Sequence, residues 1–472
     1  MNTREFPMNG DGTVISRRDA IRRGLLGPAG VLLAGNVLAQ VAPATRPTVL
    51  APNVLGLPAT RPVARTAGGK GKARSVIQIW MWGGPSHLDT FDPKPEAGYD
   101  YCGPLDKPIA TNVDGIRICE LLPLLAQQAD KFSIIRTMTH GNDGHETAAY
   151  MVQTGRKPGE KLLYPSVGAV VSLFKGYDAG YKGLIPPYIV LTQPQGRFSE
   201  AGFLGPKYKP FATGGNPGAA QFAVEGIIAE GITRQRQEGR RNLLHNLNTL
   251  DRAVRNDPEL AISEQAGKQA YDLILGDEGK VFDLDEESDA MRLAYGRNTF
   301  GQSCLIARLL VEHGFPYITI NYGGWDTHSQ HFQQMRQKLP QMDRGMAALL
   351  QDLSDRGLLD TTIVWWSGEF GRTPRIDWQP PWDGGRGHYG RCFCAALAGG
   401  GFKGGVVVGE SDARGETVKH RPVYPVDLIA SMYEMLGIDP DGTLPNPGGP
   451  PVRVTAAPDE GMPMGGRLKE IM

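Results

Sequence analysis

The stretch GQSCLIARLLVEHGFPYITINYGGWDTHSQHF, Gly301 to Phe332, carries the reading of this chain. Gly301 to His313 has the spacing of an amphipathic helix. Pro316 to Asn321 follows as a short continuous apolar run, the pattern of a strand buried on both faces. The chain then breaks into glycines and presents Asp326, His328 and His331 within six residues. A helix feeding a buried strand feeding a Gly-rich loop is the repeating unit of an α/β protein, and ligands in such proteins bind beyond the carboxyl ends of the strands. Carboxylate and imidazole side chains at that position make a half-site for a divalent metal. The bland alternative is a hydrogen-bonded loop corner in which Asp326 caps the next helix.

The same unit recurs outward from this stretch. Val76 to Trp82 is another near-continuous apolar run, ending in Gly83-Gly84. Phe132 to Arg136, Pro187 to Thr192, Thr361 to Trp366, Cys392 to Leu397 and Val406 to Val408 read as further strands. Glu146 to Thr154, stopped by Gly155, the segment around Met342 to Leu353, and Pro425 to Leu436 read as helices. The expected class is α/β, with a mainly parallel sheet between helical layers. Residues 219–297 are charged and helix-like and are expected to form a helical insertion within a domain spanning 73–472.

Composition narrows the function. Lys+Arg and Asp+Glu both number 50 in 472 residues, so no basic field exists to recruit nucleic acid. Ser16-Arg17-Arg18-Asp19-Ala20-Ile21, followed by an apolar stretch to Ala39, resembles a twin-arginine signal. Residues 1–39 are therefore expected to be removed, with the twin-arginine translocase as partner during export and a periplasmic or extracellular destination. Their removal takes five basic and three acidic residues and leaves 45 against 47, a net charge of −2. The apolar stretch is short for a bilayer span and holds Pro28, so no stable membrane span is expected afterwards. Residues 40–72 are rich in Pro, Ala and Thr and read as a disordered lead-in. Of five cysteines, only Cys102 and Cys119 are placed to bridge, so at most one disulfide is expected.

Six of the nine histidines, His87, His140, His145, His328, His331 and His388, fall in Gly-rich segments after apparent strands. The segments GGPSHLDTFDPKP (Gly83–Pro95), HGNDGHET (His140–Thr147), GGWDTHSQHF, and SGEFGRTP (Ser367–Pro374) with GRGHYG (Gly385–Gly390) collect carboxylates Asp89, Asp326 and Glu369. They add imidazoles and the guanidiniums of Arg156 and Arg372, which suit an anionic oxyacid group. Structural roles compete at several positions. Glu369 would serve as a buried partner of Arg372, Asp89 as an acceptor for turn amides, and Arg156 as the anchor of a helix end.

These segments resemble the bacterial family called domain-of-unknown-function 1501, over about Val76 to Pro440, and through it the alkaline phosphatase and sulfatase superfamily. The resemblance implies a parallel sheet sandwiched by helices, with one or two metals at the strand ends. His145 then stands where phosphatases carry Ser or Thr and sulfatases a formylglycine precursor. Gly83-Gly84 replaces the first metal-binding aspartate, with His87 or Asp89 as substitutes. Glu369-Phe370-Gly371 resembles an Asp-His-Gly motif, His388 the late histidine ligand, and Asp326 with His328 or His331 the remaining pair. The implied cofactor is a divalent metal, zinc first, with calcium, magnesium or manganese as alternatives. The implied activity is hydrolysis of phosphate or sulfate esters, polysaccharide esters included, with His145, Arg372 and Arg156 as catalytic residues. The competing reading is a non-catalytic envelope protein that keeps the fold with a degraded site.

Overall fold

The computed structural model describes residues 55–58, 73–159, 162–193, 200–220, 222–224, a few positions between 235 and 243, and 278–472. The expected signal (1–39), nearly all of the lead-in (40–72) and most of the helical insertion (219–297) lie outside the described residues. At the end of that insertion, short 3-10 turns lead into a helix at Asp289–Tyr295.

Eight strands of the described residues form one sheet. In chain order they are β1 Ser75–Trp80, β2 Phe132–Met138, β3 Tyr188–Leu191, β4 Phe211–Ala212, β5 Tyr317–Asn321, β6 Thr362–Ser367, β7 Phe393–Ala398 and β8 Val407–Val408. Their spatial order is β8-β2-β7-β6-β1-β5-β3-β4. Only β7 runs against the rest, pairing antiparallel with both β2 and β6. β1 is central and pairs parallel with β5 and β6, so that Trp80 stands level with Asn321 and Ser367. The segments after these three strands therefore leave the same sheet edge side by side.

The sheet is buried on both faces, which explains why its strands are apolar without alternation. In β1, Ile77 and Ile79 enter one core and Val76 and Trp80 the other. The first core is closed by α4 (Thr299–Glu312) and α5 (His331–Asp355). The second is closed by α1 (His145–Thr154), α2 (Val167–Val171) and α6 (Pro425–Leu436), with α3 being the Asp289–Tyr295 helix. The result is a three-layer α/β/α sandwich. Helix α5 anchors one layer through Met335, Leu339, Met342, Met346, Leu349, Leu350 and Leu353, all fully buried. Each such side chain contributes roughly 1.5–3 kcal/mol of burial. Gln78, a polar residue in the middle of β1, is accommodated because its Oε1 accepts from Tyr317 at 3.1 Å and Thr319 at 3.0 Å.

Cys102, Cys119, Cys304, Cys392 and Cys394 are buried free thiols. Cys102 donates to the Gly98 carbonyl at 3.2 Å rather than bridging to Cys119. No helix among the described residues is long and apolar enough to cross a membrane.

Candidate metal centre

Four loops meet at the sheet edge where β1, β2, β5 and β6 end. His388 reaches it differently from the sequence expectation that every histidine loop follows a strand. It precedes β7, and because β7 is antiparallel its entry lies at the same edge. A two-residue ladder, His388↔Arg372 and Tyr389↔Gly371, ties that entry to the segment after β6.

The junction is built on glycine. Gly83 has φ +108°, and a Cβ there would collide with the backbone of Trp325 and Asp326. Its N–H donates to Glu369 Oε1 at 2.9 Å and its carbonyl accepts from Arg372. No side chain fits where a metal-binding aspartate was sought, because the backbone of the Asp326 loop occupies that space.

Asp326 is the hub. Its Oδ1 lies 3.0 Å from His388 Nε2, 3.0 Å from His328 Nε2 and 2.5 Å from Arg372 Nη2; its Oδ2 lies 3.4 Å from His145 Nε2. The His145, Asp326 and His388 donor atoms all lie within 4.8 Å of one another. Burial opposes ionisation of Asp326, but the Arg372 guanidinium and His388 outweigh it and hold the carboxyl at about 2. His145, at the first position of α1, is pushed upward, chiefly by its hydrogen bond to Glu369. Desolvation pushes His328 downward.

The outer ring nitrogens fix the inner ones. His388 Nδ1 lies 2.8 Å from the Asp143 carbonyl, which only accepts, so Nδ1 carries the proton. In a neutral ring Nε2 is then a bare lone pair aimed at the Asp326 carboxylate. His145 repeats the pattern, with Nδ1 2.7 Å from Glu369 Oε1 and Nε2 toward Asp326. Acceptor facing acceptor at such range is repulsive unless a cation, a proton or a metal ion, lies between them. Donors about 2.0–2.2 Å from a tetrahedral ion stand roughly 3.3 Å apart, close to the 3.0 and 3.4 Å separations here. The outer acceptors Asp143 and Glu369 are the supports that metal-ligating imidazoles need. Trp82, Phe370 and His388 rings surround His145 at 5.2, 5.0 and 4.3 Å.

Residues 73–463 match the family described as "Protein of unknown function (DUF1501)". The chain belongs to the DUF1501 family. No curated protein matches it. Similar solved structures include the lipoteichoic acid synthase LtaP from Listeria monocytogenes, at 8% identity over 82% of this chain and 75% of that one, TM-score 0.36. The PsFucS1 sulfatase from Pseudoalteromonas sp. is 12% identical over 79% and 68%, TM-score 0.34. A protein in the alkaline phosphatase superfamily from Vibrio parahaemolyticus is 9% identical over 78% and 68%, TM-score 0.34.

In this DUF1501 protein the structure brings His145, Asp326, His328 and His388 together, with Glu369 behind His145. Four other sequence candidates stand elsewhere. His331 and Asp89 form a separate buried pair: His331 Nε2 lies 2.9 Å from Asp89 Oδ2, and His331 Nδ1 lies 2.6 Å from the Thr327 hydroxyl. Asp89 Oδ2 also takes Arg386 Nε at 2.8 Å, so both His331 nitrogens and Asp89 Oδ2 are already engaged. His87 is buried with Nε2 2.8 Å from the Gly415 carbonyl, outside the cluster. Arg156 sits beyond the far end of α1, about 15 Å of helix from His145, bound to Glu460 and the Arg453 carbonyl. It anchors a helix end and takes no part in the site.

Arg372 is adjacent but cannot clamp a substrate anion. Its side chain is 0% exposed, and it donates to the carbonyls of Gly83, Gly84 and Arg386 as well as to Asp326. It positions Asp326 and locks three loops together. Sequence reasoning missed the support role of His140, whose Nε2 lies 2.7 Å from the Glu369 carbonyl, and of the Asp143 carbonyl. Both belong to the quoted HGNDGH run, but nothing in that run says which carbonyl would face His388.

Proposed function

We propose that this protein is a metal-dependent hydrolase of phosphate or sulfate esters, acting outside the cytoplasm after twin-arginine export. His145, Asp326 and His388 would hold one divalent cation, with zinc favoured by the two-imidazole, one-carboxylate donor set. When bound, the ion supplies Lewis acidity to the ester oxygen. Glu369 keeps the proton of His145 on Nδ1, and the Asp143 carbonyl does the same for His388. Arg372 fixes the Asp326 carboxylate. His328, 39% exposed with its Nε2 2.9 Å from His388 Nε2, stands at the open side of the cluster. Position 145 bears an imidazole and no hydroxyl or thiol, which favours direct attack by water over a covalent ester intermediate.

The observation that carries this reading is the His388 Nδ1 contact to the Asp143 carbonyl, since it turns a lone pair onto the Asp326 carboxylate and asks for a cation there. The test is the metal content of purified protein, together with hydrolysis of phosphate and sulfate monoesters. Wild type should hold one zinc, manganese, calcium or magnesium ion per chain, and Asp326→Ala should lose metal and hydrolysis together. A wild-type protein without stoichiometric metal returns the cluster to a proton-bridged ion pair. The non-catalytic envelope reading, favoured by the missing hydroxyl nucleophile, then holds.

A further inference from the structure

The loop between Ile376 and Gly385 stands beside the metal cluster and plays no part in holding it. It is rigidly built. Asp377 N donates to Gly385 O at 3.0 Å, Gly384 N returns to Asp377 O at 2.9 Å, and Trp382 N donates to Gln379 O at 2.9 Å. Gln330 N, next to α5, donates to the Trp382 carbonyl at 3.1 Å. Trp378 packs on Gly384, where a Cβ would press into its ring at 2.8 Å. It also stacks on Phe332, with ring centroids 5.8 Å apart and planes at 17°.

From this rigid base two aromatic rings face solvent. Trp382 is 41% exposed, and its ring lies 6.1 Å from that of His328. Tyr99 is 62% exposed and stacks on Trp378 at 5.0 Å, planes 8° apart. Leu163, Leu184, Leu243 and Leu293 are the other exposed large apolar residues among those described. Trp382 therefore belongs to this loop beside the histidine cluster and Tyr99 packs onto the loop from a separate segment, while the leucines are scattered. Around the rings the exposed polar groups are Asp100, Arg375, Asp377, Gln379 and Asp383, with Pro380 and Pro381 exposed directly before Trp382.

We propose that this loop is a saccharide subsite. Trp382 stacks on the C–H face of an uncharged sugar ring whose ester group reaches the metal cluster, and the surrounding carboxylates and amide take its hydroxyls. An aromatic face carries negative quadrupole charge and attracts the weakly positive C–H hydrogens of a pyranose, while the ring edge remains free for polar neighbours. A lipid tail would need continuous apolar surface, which the polar rim interrupts. Asp100, Asp377 and Asp383 outnumber the one exposed cation here, Arg375, and this negative balance disfavours an anionic membrane surface and a densely sulfated chain, so the sugar in this subsite is neutral. The ester part of the proposal rests on the hydrolase reading above; the saccharide part stands on the loop alone.

The experiment separates the two. Metal-stripped wild-type protein and its Trp382→Ala, Trp382→Phe and Asp326→Ala variants are titrated with maltohexaose, cellohexaose, xylohexaose and zwitterionic phosphatidylcholine vesicles. Tryptophan fluorescence and saturation-transfer NMR report binding, and thermal melting confirms that each variant folds. At least one hexasaccharide should bind wild type. Trp382→Ala should weaken that binding about 10-fold, Trp382→Phe should retain most of it, and Asp326→Ala should leave it unchanged. The proposal is overturned if no hexasaccharide binds, if Trp382→Ala binds as wild type does, or if only the vesicles bind. None of these results depends on hydrolysis, so an inactive protein that still binds sugar through Trp382 removes the hydrolase reading and keeps this one.

Discussion

Two clusters of the same three residue types lie at one sheet edge and differ in closure. Asp89, His331 and Arg386 form the first, Asp326, the three histidines and Arg372 the second. The Asp89 side chain is 1% exposed and the Asp326 side chain 42%. In the first, charge is balanced and nearly every hydrogen-bonding position is matched. His331 uses one ring nitrogen on Asp89 and the other on the Thr327 hydroxyl, and Arg386 spends its remaining donors on the carbonyls of Thr373, Pro374 and Tyr101. In the second, the lone pairs of His145 and His388 Nε2 both face the carboxylate. A matched set is a structural clamp. An unmatched and accessible set has the donor chemistry on which the proposed metal site rests. Residue type does not separate them; the count of donors against acceptors does.

The clamp also serves the site. Arg386 N donates to the Thr327 carbonyl at 3.1 Å, and the Arg386 carbonyl accepts from Arg372. Thr327 lies between two histidine-cluster residues, Asp326 and His328, and Arg386 lies two positions before His388. The closed cluster thus holds together the loops that carry the open one.

The largest expected effect breaks the clamp. Asp89→Asn removes the charge opposite buried Arg386, which should cost about 3–5 kcal/mol of stability. Denaturant unfolding measures it. A loss below about 1 kcal/mol would show that the three carbonyls alone satisfy Arg386 and that the clamp reading is wrong. Next comes the open cluster. Asp326→Ala should lower metal content to near zero and hydrolysis by more than about 100-fold, beyond what loss of an outer support costs. Its stability should change much less than that of Asp89→Asn, because Asp326 is half in solvent. Equal stability losses in the two variants would erase the distinction between clamp and site.

Glu369→Gln sharpens the contrast within the site. It should weaken metal affinity by about 10–100-fold, since the glutamine amide can still accept from His145 Nδ1 but supplies no charge. Added metal should restore occupancy, which it should fail to do for Asp326→Ala. An apparent affinity unchanged by the substitution would remove Glu369 from the support role.

Most of the fold was legible in the sequence, because uninterrupted apolar runs and helical spacing depend on neighbours along the chain. Val76–Trp82, Pro316–Asn321, Thr361–Trp366 and Pro425–Leu436 all fold as their patterns predict, within a residue or two. The antiparallel sense of β7 was not legible, since a strand buried on both faces reads the same in either direction. The site was legible by loop and not by residue. In Asp326-Thr327-His328-Ser329-Gln330-His331 both histidines are near enough in sequence to join Asp326. Gln330, however, adopts φ +48°, and His331 begins α5 buried beneath the loop while His328 remains at its surface. Asp89 was likewise inseparable from Asp326 until Arg386 was seen to cover it. Arg156 shows the same limit: a helix of ten residues places its two ends in different chemistry.

The smallest effect is in acid. Burial opposes the charge on Asp89, but Arg386 and His331 prevail and hold its carboxyl at about 2, below the ordinary value near 3.9. A depressed carboxylate stabilises the folded state above its unfolded pKa, and that contribution disappears as pH falls through the folded one. Desolvation also keeps His331 below its ordinary value, so the unfolded chain binds that proton first and stability begins to fall below about 6.5. Wild type should therefore lose stability gradually below pH 6.5, and a further amount, about 2 kcal/mol, between about pH 4 and 2 from Asp89 alone. In Asp89→Asn that second limb should vanish, leaving a lower but flatter curve. Asp326→Ala should keep it. If the Asp89→Asn curve fell as steeply as wild type over this range, the acid limb would belong to other carboxylates, and the electrostatic account of the clamp would fail even where its packing account survived.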